Sequence, residues 1–126
     1  MTEGRDSPLE SGRIFLDATR RHLISEYPAK IDAAVARLGE DDWWWRPNPR
    51  TNSVGHLVRH LAGNVRQWVV HGVGGTPDRR DRASEFGEAT ESFEDVRARL
   101  ESSLADAAAV LSTMTPADLL QARTIQ

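Results

Sequence analysis

Cysteine is absent from this chain of 126 residues. That removes a disulfide framework, a thiol nucleophile and a thiolate metal ligand, so any metal would have to use His, Asp or Glu. No run of about twenty apolar residues exists to span a membrane as a helix. The first ten residues, MTEGRDSPLE, lack the apolar core of a signal peptide, and the expected location is cytoplasmic. Excess positive charge is missing too: the net charge is −3 and the pI about 5.8, which argues against nucleic acid as a partner. No internal repeat and no period-two alternation of strand type occur. What remains is 39% hydrophobic and 28% charged, the balance of one ordinary globular domain and not of a disordered chain.

Residues 1–10 read as a flexible tail and residues 11–126 as a helical domain. Over residues 11–38, Leu16, Leu23, Tyr27, Ile31, Ala34 and Leu38 recur at helical spacing. Arg20 interrupts that stripe, and Pro28 removes a backbone donor, so a kink or break is expected near Tyr27. Gly39 suits a left-handed position ending the helix. Residues 40–51 (EDDWWWRPNPRT) form a connector, and Asn52 or Ser53 caps a second helix running to about His71. Gly72, Gly74, Gly75 and Pro77 end it, and residues 78–90 form a polar loop with room for one short turn. Ser92 with Asp95 resembles a capping box. The helix it opens carries Phe93, Val96, Leu100, Leu104, Ala107, Leu111 and Met114 on one face. Thr115 and Pro116 start one more short element. Three amphipathic helices need a partner for each stripe, and bundles usually close with four. The fold expected is all-α, a bundle with three main helices present and the fourth absent or truncated. It should be partly open or pair with a second copy as a homodimer.

The second helix carries the residues with chemistry. At about 100° per residue, Leu57, Leu61, Val65 and Trp68 form its expected core stripe, with Arg59 and Arg66 nearly opposite in solvent. Between them runs a polar line of His56, His60, Asn64, Gln67 and His71, with His56 turned more toward water. Histidines at i and i+4 can share one metal, because their side chains leave the same face a turn apart. The same pair can equally be boundary residues hydrogen-bonded to loop groups or water. The residues between them, Leu57, Val58 and Arg59, provide no metalloprotease glutamate.

The runs Asn52-Ser53-Val54-Gly55, His60-Leu61-Ala62-Gly63-Asn64 and Gln67-Trp68 resemble the second helix of DinB-like proteins, in particular an uncharacterised bacterial branch of that superfamily. Trp44-Trp45-Arg46-Pro47-Asn48 before the helix and Arg80-Asp81-Arg82-Ala83-Ser84-Glu85-Phe86 after it resemble the same branch. The resemblance implies an up-down-down-up four-helix bundle. It also implies a divalent metal, often nickel or zinc, held by three histidines. His60 occupies the position of the ligand in the second helix. The other two would come from a His-x-x-x-His pair in the last helix, which this sequence does not contain. The position of His56 is more often Asn in the branch, so His56 could add a second ligand but is not inherited as one. Related families use such a metal to activate a low-molecular-weight thiol for S-transfer or isomerisation, or to support hydrolysis of a small-molecule substrate. His71 lies roughly 16 Å along the axis from His60, too far to share one ion. Metal binding is therefore expected to be weak or absent unless a dimer brings two copies of His60 together.

Other residues support two readings each. Trp43, Trp44 and Trp45 either plug the end of the core with one exposed, or present Trp45 to a ligand at the bundle mouth. Arg80 and Arg82 either grip an anionic substrate with their guanidinium forks, or pair with Glu85, Asp81 or a helix end and pin the loop. Asn64 either orients a metal ligand or caps an interhelical hydrogen bond.

Overall fold

Helix α1 (Pro8–Arg20) begins with the residue whose missing N–H costs nothing in a first turn. The structure, a computed structural model, describes residues 8–125. Helix thus starts inside the expected tail, whose residues 1–7 lie outside the described residues. A π-helical stretch, Arg21–Glu26, leads without interruption into α2 (Tyr27–Val35). Proline in a helix loses a hydrogen bond and its ring collides with the carbonyl four residues earlier. Here the wider π turn immediately precedes Pro28, and the Tyr27 N–H reaches back to the His22 carbonyl. The irregularity therefore falls a turn before the expected break, and the helical run continues through it. Arg20, which interrupts the apolar stripe, donates from Nε to the Leu111 carbonyl at 2.9 Å and from Nη2 to the Met114 carbonyl at 3.2 Å. It thereby reaches carbonyls in the last turn and at the cap of another helix, where a cation is favoured.

Helix α3 (Val54–Val65) is opened by Ser53, whose hydroxyl accepts from the His56 N–H while the His56 ring accepts from the Ser53 N–H. It runs on as a second π-helical stretch, Arg66–His71, and the chain turns away through Gly75 at φ +81°. Gly39, expected to be left-handed, is not; its N–H instead donates to the Asp42 carboxylate at 2.9 Å. A 3-10 turn, Ala83–Phe86, interrupts the polar loop. Helix α4 (Phe93–Thr113) is capped by Ser92, which accepts from the Asp95 N–H. A last 3-10 turn, Pro116–Leu120, follows the Thr115 cap and packs on α1. The chain is all-α, with no strand among the described residues.

Helix α4 is the spine. It packs along α3 and also meets α1 and the first π stretch, whereas α1 and α2 make no close backbone approach to α3. Phe93 and Val96 are 1% and 0% exposed, and with Leu100 they bury Val35, Val58 and Ala62 in one cluster. Val65, Val70 and Ala107 form a second cluster, and Leu104 packs against both. Each large apolar side chain so buried stabilises the fold by about 1.5–3 kcal/mol.

Helix α3 is rotated from its expected orientation. Its buried residues include Gly55, His56, Val58, Arg59, Ala62 and Val65, whereas Leu57, Leu61 and Trp68 of the expected core stripe are 48%, 38% and 51% exposed. Small side chains let neighbours approach on the buried faces. Gly55 shows this directly: a Cβ there would lie 2.5 Å from the Trp44 ring. Trp43 stacks on Phe93 with centroids 4.4 Å apart, Trp44 meets His56 edge-on, and Trp45 is exposed. Arg59, expected in solvent, lies over the Trp44 ring at 4.5 Å and pairs with Glu91 at 3.0 Å. A cation on an aromatic face with a carboxylate partner tolerates that burial.

Replacing Gly55 by Ala should therefore destabilise the protein. Overpacking against the Trp44 ring costs about 1–3 kcal/mol, which exceeds the gain of up to about 1 kcal/mol in helix propensity. Urea denaturation should show a lower midpoint with unchanged slope.

Candidate functional site

His60 projects from α3 toward the loop that crosses it, and the loop is shaped by its own short-range bonds. Asp78 accepts from the Arg80 N–H at 2.9 Å, and the Ser84 hydroxyl donates to the Asp81 carbonyl at 2.7 Å. Such side-chain bonds to nearby backbone favour tight turns over helix or strand. The 3-10 turn then delivers Glu85 onto α3, where it is 7% exposed. Space for it exists because position 63 is glycine: a Cβ there would stand 1.9 Å from Glu85 Oε2.

Arg80 meets Glu85 with two parallel bonds, Nε to Oε2 and Nη2 to Oε1, both 2.9 Å. Its Nη1 donates to the Gln67 side-chain oxygen at 2.8 Å. The bond to Glu85 holds the Arg80 guanidinium above its already high ordinary range, with desolvation opposing and the nearby Glu85 and Asp78 charges adding. The sign follows: a raised arginine pKa contributes stability that is lost only as pH rises through it, so with Glu85 ionised this contribution is fully present near neutral pH.

His60 completes the group. Its Nδ1 lies 3.3 Å from Glu85 Oε1 and 3.2 Å from Arg80 Nη2, and its ring tilts against Phe86 at 5.5 Å. With the proton on Nδ1, the ring donates to Glu85 and leaves a lone pair on Nε2. With the proton on Nε2, the ring accepts from Arg80 instead. Among the described residues Nε2 has no partner. Only the first tautomer leaves a lone pair on Nε2, and a carboxylate behind the ring is the usual device for selecting it.

His56 sits differently. It is 4% exposed, not turned to water. Its Nε2 faces the Gly87 carbonyl at 2.9 Å and so donates, leaving Nδ1 to accept from the Ser53 N–H at 3.2 Å. The Ser53 hydroxyl lies 2.6 Å from the same nitrogen. Both ring nitrogens are engaged, and the ring ties the start of α3 to the loop. His71 uses Nδ1 at 2.7 Å from the Thr76 carbonyl.

Of the residues singled out in the sequence, the structure brings together His60 and Arg80, with Gln67 beside them. No hydrogen bond, ion pair or ring contact among the described residues joins Asn64, Trp45 or Arg82 to this group, and Arg82 is exposed. Arg80 makes the loop-pinning contact, with Glu85. Sequence reasoning missed Gly63, whose position one turn beyond His60 was the available signal that something packs there. Among the described residues no group of three His, Asp or Glu stands close enough to hold a metal ion.

The family model described as a protein of unknown function (DUF1572) matches residues 10–126. The chain belongs to that family. No curated protein and no solved structure matches it. In this DUF1572 chain no helix among the described residues is long and apolar enough to cross a membrane.

Replacing Gly63 by Ala should push Glu85 off Arg80 and leave buried charge unpaired, a loss of about 3 kcal/mol. Glu85→Ala should cost a similar amount. Because both changes break one pair, the double variant should lose clearly less than the sum of the two. Urea denaturation of the three variants tests this, and additive losses would mean that Gly63 and Glu85 are not coupled.

Proposed function

We propose that this protein is a DinB-like helical module whose one metal-ligating side chain is His60, set by Glu85 and opened outward at Nε2. The observation carrying this reading is the asymmetry of the ring: Nδ1 lies against the Arg80–Glu85 pair, while Nε2 has no partner among the described residues. A single imidazole is not a catalytic centre, which generally needs three protein ligands and an open position. The donor set of this chain alone does not fit the three-histidine site of the superfamily. Thiol transfer or hydrolysis is accordingly proposed only for an assembly that adds ligands, such as a homodimer. Nickel or zinc is the metal to test.

Titration of the purified chain with nickel and zinc should give weak binding that disappears in His60→Ala and persists in His56→Ala. Tight binding that survives loss of His60, or binding lost with His56, would overturn the assignment.

A second reading, self-association without catalysis, draws on Leu57, Leu61 and Trp68, which lie on one exposed stripe of α3 beside His60. Apolar side chains lined up in this way mark a contact surface more often than isolated ones do. Sedimentation velocity should detect a dimer whose dissociation constant rises at least about tenfold in Leu61→Glu. A monodisperse monomer at high concentration would dispose of this reading.

A further inference from the structure

Opposite the exposed stripe, α3 forms one wall of a second feature. At about 100° per residue, Ala62 and Arg66 lie about 140° and 180° around the helix from Leu57, and Arg59 about 200°. These residues, with the loop bearing Arg79 and Arg80 and with Arg99 on α4, enclose a cleft of about 750 Å³. That volume lies within the usual range of small-molecule sites, about 300–1,000 Å³. His60 does not line it.

The lining is electrostatically unbalanced. It holds five arginines and four carboxylates, and Asp106 just outside the lining pairs Arg66, so the imbalance is local: Arg79 is the lining guanidinium without a carboxylate partner among the described residues. Arg59 and Arg99 both bond the same oxygen of Glu91, so one carboxylate serves two guanidinium groups. Arg59 is held there with its side chain only 6% exposed. Arg66 reaches Ser103 at 3.2 Å and Asp106 at 2.8 Å from an exposed position. Arg79 is exposed and has no hydrogen-bond or ion-pair partner among the described residues. Asp81 and Glu88 carry the opposing charge on the loop wall. The Asp81 carboxylate is engaged by the Ser84 N–H at 3.3 Å.

We propose that this cleft binds a small organic anion bearing a phosphate or clustered carboxylates. Arg79, which has no partner among the described residues, would be the first contacting cation, with the exposed Arg66 the second. Guanidinium forks match both kinds of oxyanion, and the hydroxyls of Thr90 and Ser102 in the same lining can donate further bonds. His60 itself does not line the cleft, but Arg80 and Glu85 on its wall both touch the imidazole.

The test uses the full chain labelled for NMR, titrated with inorganic pyrophosphate and, separately, citrate, against sodium chloride at matched ionic strength. The expected result is saturable shifts centred on the amides of Thr90, Ser102 and Ser103 with at least one of the two anions. Which anion binds more tightly identifies the headgroup. Arg79→Ala removes a side chain with no partner among the described residues, and it should weaken binding about tenfold, the loss of one charged hydrogen bond. Shifts no larger than those with chloride, or saturable binding unchanged in Arg79→Ala, would overturn the proposal.

Discussion

The Arg80–Glu85 pair is the contact on which the arrangement of this protein's chemistry depends. Both side chains are less than a tenth exposed, and both carboxylate oxygens are bonded to one planar guanidinium. A buried charge left alone is costly, so neither residue can take another place without the other. Because Glu85 enters over Gly63 and Arg80 also holds Gln67, the pair fastens the loop to α3 and to the π-helical stretch that continues it. The orientation of His60 is a consequence of that fastening. So is the position of Gly87, whose carbonyl receives both His56 and Arg59.

Much of the helical framework was legible from residue types alone. Ser53 and Ser92 act as the caps expected of them, since a short side-chain oxygen at a helix start satisfies an N–H that nothing local else reaches; at Thr115 the N–H donates to the Asp118 carboxylate at 2.8 Å. The connector behaves as its tryptophans suggest, with two rings packed and Trp45 outside. The rotation of α3 was not legible, and the reason is physical. Periodicity ranks positions by hydrophobicity, and Leu57, Leu61 and Trp68 are the bulkiest apolar residues on the helix. What decides contact in this bundle is how closely a neighbour can approach. Gly55, Ala62 and Gly63 mark the faces that admit Trp44, α4 and Glu85, and glycine carries no hydrophobic signal.

The same logic explains the candidate site. Arg80 and Glu85 are five residues apart across an irregular turn, a spacing with no fixed geometry in a sequence, so loop pinning and substrate binding looked alike. His56 and His60 looked equivalent as an i, i+4 pair. They separate only when the loop is laid down, because Gly87 takes the free nitrogen of one and nothing among the described residues takes that of the other.

Helix α3 thus presents four environments around one axis: an apolar stripe in water, the seam with α4, a cleft rich in arginine, and the loop face carrying both histidines. His60 lies at the edge between the loop and the exposed stripe. Ligands from within the chain would have to come across a loop already held by Arg80 and Glu85. Ligands from outside can come across the open stripe, where Leu57, Leu61 and Trp68 are exposed. Whatever completes a centre at His60 would therefore also cover that stripe. Metal affinity and burial of the stripe should be coupled, since a partner binding to the same edge adds donors and excludes water in one step.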